Sequence, residues 1–218
     1  MIGIGPINVS ASASNDYTQW KQYDAEWNNS EAWPKSQYPG ATLYYMRDAG
    51  CLVTSIAMLL RQYNVVTEAD VNQFNPWIVN NTLASNGVLD SAADVKWYDI
   101  QTAYPGFVYQ GYCGYSLSEL KNLYNAGYAC IVQVMGSGGY YHFVAVRSID
   151  GDNVIIMDPG SESTSLSTYG SVYTIHYFSA TPSNVPYIEK CNSYAINSEM
   201  ALFDAHLLSS QSIVMAGR

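Results

Sequence analysis

Of 218 residues, 48% are hydrophobic, enough to bury the core of one domain or of two packed lobes and too many for a disordered chain. Nine Lys and Arg against 18 Asp and Glu leave a net charge of −9, which repels a phosphate backbone and an anionic membrane surface and so excludes nucleic acid as a partner. No apolar run approaches the ~18–20 residues of a transmembrane segment, and the opening MIGIGPINVSASASND has neither the basic nor the apolar region of a signal peptide.

Without repeats, low-complexity tracts or a long linker, residues 1–218 read as a single domain. The first strong helix runs from Cys51 to about Tyr63, with Leu52, Ile56, Leu59 and Tyr63 on one face. Thr67 is expected to cap a short second helix. Asn75-Pro76 opens a third, with Pro at its first position and Gly87 past its end. Ser116-Leu117-Ser118-Glu119 is a capping box for a helix that carries Leu117, Leu120 and Leu123 and stops at Gly127. Residues 50–126 therefore read as mostly helical.

Strands follow at 128–135, 141–149, 153–158 and 171–178, rich in Val, Ile, Tyr and Phe, with Asp150-Gly151 as a hairpin turn. Gly136 to Gly139 reads as a mobile connection rather than a phosphate loop, because a strand and not a helix comes after it. An amphipathic helix is expected from Ser198 to Leu208, in a C-terminal extension (180–218) with no assigned role. Helices first and antiparallel strands afterwards give an α+β fold, a helical lobe packed on an antiparallel sheet lobe.

Cys51 follows Gly50 and opens the strongest helix, where unpaired N–H groups and the helix dipole favour negative charge on a side chain. The alternative is a small buried hydrophobe. Of the three histidines, His176 and His206 read as structural, whereas His142 begins a strand. A hairpin turning at Asp150-Gly151 pairs Phe143 with Asp158 and leaves His142 one position away. Cross-strand neighbours are about 4.5–5.5 Å apart, so the carboxylate can orient the imidazole.

Other chemistries lack their motifs. There is no G-x-S-x-G elbow, no H-E-x-x-H and no C-x-x-C among Cys51, Cys113, Cys130 and Cys191, so no metal and no cofactor is expected. A glycosidase carboxylate pair needs no motif and stays open. Trp20, Trp27 and Trp33 suit either sugar stacking or a core. With Cys51 a working thiol, three cysteines remain and at least one is unpaired, which leaves the compartment open. A composition of 20 Tyr with 12% charged residues nonetheless suits an extracellular, cell-surface or phage-borne protein.

Taken in order, QYDAEW (22–27), GCLVTSIAMLL (50–60), NPWIVNNTLASNG (75–87), YYHFVAV (140–146) and VIIMDPG (154–160) resemble the bacteriocin-processing type of papain-like cysteine peptidase, the C-thirty-nine-like group. The resemblance spans about 22–160. It implies Cys51 as nucleophile, His142 as base, Asp158 as orienting acid and Gln22 as oxyanion donor. A long insert, WPKSQYPGATLYYMRD, separates Gln22 from Cys51 and makes Gln37 the alternative donor. The implied reaction is peptide hydrolysis through an acyl-thioenzyme, next to small residues of an extended peptide, cell-wall peptides included. An acyltransferase or transpeptidase on the same scaffold, or a binding module without chemistry, is the competing reading. No oligomeric state follows.

Overall fold

In a computed structural model the described residues are 13–29, 45–90 and 94–183. They belong to the first of two compact units, Met1–Ser183, the second being Asn184–Arg218. Trp33, Gln37, Cys191, His206 and the expected helix at 198–208 lie outside the described residues.

Among the described residues there are five α-helices: α1 (Met46–Ala49), α2 (Cys51–Gln62), α3 (Pro76–Ser85), α4 (Ile100–Ala103) and α5 (Leu117–Asn125). Strands β1 (Phe107–Gly114), β2 (Ala129–Met135), β3 (Tyr141–Asp150), β4 (Asn153–Met157) and β5 (Val172–Ala180) form one sheet in the order β1-β5-β2-β3-β4. Every neighbouring pair is antiparallel.

Local chemistry sets the helix ends. Asn75 Oδ1 accepts the Ile78 N–H at 3.0 Å and Pro76 occupies the first position of α3. Ser116 Oγ accepts the Glu119 N–H at 3.1 Å, and α5 closes where Tyr128 N–H returns to Leu123 O beside Gly127, at φ 89°. On one face of the sheet Cys130, Val132, Val134, Val144, Val146, Val154, Ile156 and Ile175 pack with Leu120 of α5 and Leu166. The α2 helix is held along β3, with Ser55 Oγ donating to Phe143 O and Gln62 Nε2 to Val146 O.

Two expectations are corrected. The region 50–126 contains a strand, β1, which the alternation of side chains does not reveal. A bulge between Tyr109 and Gly111 interrupts its pairing with β5 and Gly111 sits there at φ 138°, yet burial alternates along the whole strand; what hides it in the sequence is Gln110-Gly111 at its centre, residues that interrupt the apolar run. Thr67 caps no helix. The chain turns back at Asn64 (φ 55°), runs on without helix to a turn at 71–74, and buries Phe74. The 136–139 connection is a closed turn, with Gly136 N–H on Tyr140 O at 2.9 Å and Gly139 N–H on Gly136 O at 3.0 Å.

Candidate active site

The Cys51 side chain owes its place to a break between two helices. Backbone bonds Ala49 N–H to Tyr45 O and Gly50 N–H to Met46 O build α1, and the ladder resumes with Thr54 N–H on Gly50 O. The Cys51 N–H falls in the gap between them. Gly50 is required there by close packing, since a Cβ would lie 2.4 Å from Met46 O. The Arg47 carbonyl, four residues before Cys51, is taken by Gln22, whose Nε2 donates to it at 2.6 Å. That bond engages one Nε2 hydrogen of a side chain that lines the cleft.

On the sheet side, His142 Nε2 lies 2.7 Å from Asp158 Oδ1. The expected register is one residue out. The hairpin pairs Asp150 with Asn153, and a bulge at Arg147 shifts the pairs beyond it to Val146 with Ile156 and Ala145 with Met157. Continuing by one sets Asp158 opposite Val144, the residue two along from His142 on the same face. The contact is thus diagonal, still within reach of long side chains. Gly160 presses on the ring: a Cβ there would come within 2.7 Å of His142 Cε1 and 3.0 Å of Nε2.

Burial works against a charged imidazole, but hydrogen bonds and charge from Asp158 and Cys51 outweigh it and raise His142 to about 9. Burial likewise works against an ionised Asp158, and is outweighed by hydrogen bonds from His142, Ser161, Tyr169 and Gly160, which hold it down at about 2. With Nε2 on Asp158, Nδ1 is the ring nitrogen left for the thiol.

The N-terminal segment locks onto the same turn. Lys21, 8% exposed, donates from Nζ to Asp158 O at 2.9 Å and to Ser161 O at 2.5 Å, and Gln22 N–H donates to Pro159 O at 2.9 Å. Gln22, Cys51 and His142 line one cleft of about 540 Å³, with Asp48, Ser161, Tyr169, Tyr140 and the Gly136–Gly138 turn. Asp158, 2% exposed, stands behind His142.

Sequence reasoning did not anticipate Lys21, Ser161 or Tyr169. All three act from coil or a single turn, where no periodicity marks them, and only the neighbouring DPG would have drawn attention to Ser161. His176 is elsewhere, stacked on Trp97 at 4.0 Å and bonded by Tyr109 Oη at 3.0 Å, with burial pulling it down to about 4. Cys113 and Cys130 are free thiols. Burial raises both, Cys130 to about 12. Trp20 and Trp27 are 1% exposed and belong to the core, so they offer no face to a sugar. Among the described residues no three His, Cys, Asp or Glu side chains gather to hold a metal, and no helix is long and apolar enough to cross a membrane.

No curated protein matches the chain. The family described as "Peptidase_C39 like family" matches residues 30–180. That is more than half of the sequence, and it covers Cys51, His142 and Asp158 together with the whole five-stranded sheet. The chain therefore belongs to this family and has its papain-like α+β fold.

Proposed function

We propose that the protein is a cysteine peptidase in which Cys51 attacks the scissile carbonyl, His142 moves the protons, Asp158 orients His142 and Gln22 binds the oxyanion. The observation that carries this is the convergence of Gln22, Cys51 and His142 on one cleft, with Asp158 bonded to His142 Nε2.

The thiol proton passes to His142, whose raised affinity suits it to take it, and the sulfur is the nucleophile. Sulfur forms the C–S bond as the carbonyl electron pair moves onto oxygen. That oxyanion meets the Cys51 N–H and the second Nε2 hydrogen of Gln22. On collapse of the adduct the C–N bond breaks and His142 gives its proton to the leaving amine. The neutral imidazole then takes a proton from water, hydroxide displaces sulfur from the acyl group, and the carboxylic product leaves with the thiolate–imidazolium pair restored.

The substrate is an extended peptide with small residues next to the bond, cell-wall peptides being one source. Gly136, Gly138 and Gly160 at the cleft support this reading, because walls without side chains let a peptide backbone approach closely. Incubation with a diverse peptide library and with purified cell-wall peptides, read by mass spectrometry, tests the reading. Cuts at Gly or Ala that vanish in Cys51→Ala are the expected result. Release of amine only in the presence of a second amine would identify an acyltransferase instead. No turnover of either pool, with Cys51 no more reactive toward iodoacetamide than in unfolded protein, would overturn the enzyme reading.

A further inference from the structure

An orienting carboxylate requires one hydrogen bond, to the histidine. Asp158 accepts five: from His142 Nε2, Gly160 N and Ser161 N on Oδ1, and from Ser161 Oγ and Tyr169 Oη on Oδ2. Three of these come from within three residues of Asp158 and belong to its own turn, as Asp side chains commonly arrange. Tyr169 is different. It is brought in by a separate segment, past a 3-10 turn at Leu166–Thr168 whose Leu166 is 3% exposed in the sheet core. The segment is stapled to β4 by an antiparallel bridge between Ile155 and Ser165.

The donors divide by oxygen. A carboxylate turns about its terminal torsion in a broad, roughly two-fold well, so either oxygen can face a partner. Ser161 Oγ holds Oδ2 from within Asp158's own turn and moves with it, whereas Tyr169 Oη anchors Oδ2 to a different element, inside a site where Asp158 is 2% exposed and water offers no alternative partner. Tyr169 also faces the ring that Asp158 orients: its centroid lies 6.2 Å from that of His142, and it lines the cleft.

We propose that Tyr169 is a positioning residue for the candidate site, holding the Asp158 carboxylate in the one rotation that keeps Oδ1 on His142 Nε2. The proposal rests on the peptidase reading for its purpose, and its test does not depend on turnover. Burial, and then the bond to Asp158, raise the Tyr169 hydroxyl, which keeps it a donor across the working range.

The test is a double-mutant cycle read at His142. In full-length Cys51→Ala protein, which removes the coupled thiol, the His142 ring is titrated by NMR with and without Tyr169→Phe, each in Asp158 and Asp158→Asn backgrounds. In the Asp158 background, Tyr169→Phe is expected to lower the His142 midpoint by about half a unit or more, as an aligned partner is lost. In the Asp158→Asn background the same substitution is expected to leave it within about 0.2 units, because the residue acts only through the carboxylate. With Cys51 present, kcat on a cleaved peptide falls about ten- to a hundredfold, the factor for a hydrogen bond to a charged group, and KM holds.

A midpoint that is unchanged or rises in the Asp158 background, or that falls equally in both, overturns the proposal. Should Tyr169→Phe not fold, 3-fluorotyrosine at position 169 keeps the shape. A midpoint change confined to the Asp158 background then supports the proposal, and no change or an equal change in both backgrounds overturns it. An inert Cys51 would sink the peptidase reading while leaving this titration fully readable.

Discussion

His142 holds its proton through its interactions with Asp158 and Cys51, and the pH dependence of the protein follows from that. His142 is raised from 6.5 to about 9 and Asp158 is lowered from 3.8 to about 2. The sign is worked out separately for each. A raised imidazole stabilises the fold fully below 6.5 and loses that contribution as pH climbs through about 9. A depressed carboxylate stabilises it above 3.8 and loses that as pH drops through about 2. The Tm difference between wild type and Asp158→Asn should therefore be widest between these limits and shrink on either side; a difference that is flat with pH would contradict the assignment. Activity should fall on the alkaline side near pH 9. In Asp158→Asn that limb should move down and turnover drop by up to about 10⁴-fold, the loss seen when an amide selects the wrong imidazole tautomer. Gln22→Ala should lower kcat by roughly 10²–10³ with little change in KM, as for a missing oxyanion donor. A change confined to KM would make Gln22 a substrate contact instead. The nearness of His142 to Asp158 was legible in the sequence because two strands and a turn dipeptide define a hairpin. The diagonal geometry was not, since nothing in RSID announces a bulge at Arg147.

Two glycines beside Cys51 and His142 separate stability from function at the level of elements. Gly50 joins α1 to α2 against a backbone carbonyl that cannot move aside, so Gly50→Ala should destabilise the protein by about 1–3 kcal/mol. A chemical-denaturation midpoint measures this, and an unchanged midpoint would show that the joint relaxes. Gly160 instead meets the His142 ring. Gly160→Ala should leave the midpoint close to wild type and lower kcat about 10²-fold, the scale of a misplacement near 1 Å. Both glycines stand inside the quoted motifs GC and DPG, yet the sequence says only that they are present. Helices α2, α3 and α5 were legible from capping residues and apolar period, because both signals are local. Strand β1 was not, for Gln110 and Gly111 interrupt its apolar run at the centre, although burial alternates along the folded strand. Thr67 misled because its residue type suits a cap, yet the chain runs on from it without helix to a turn at 71–74.

Among the described residues every strand and every site residue precedes Asn184, and the first compact unit ends at Ser183. A chain truncated after Ser183 should fold cooperatively and keep preferential iodoacetamide labelling of Cys51 over Cys113 and Cys130; loss of either property would give the tail a part in the site. At this scale the sequence was most informative, because the colinear order of short motifs identifies a family that no single motif does. The join between Gln22 and the turn after β4 has one further consequence. Its amide proton is bonded to Pro159 O at 2.9 Å, so it can exchange with solvent only when the N-terminal segment lifts from that turn. Deuterium uptake at this single position is thus a built-in gauge of cleft breathing. A peptide bound in the cleft should slow its uptake while leaving the exposed ends of the sheet untouched, which would report occupancy without any bond being cut.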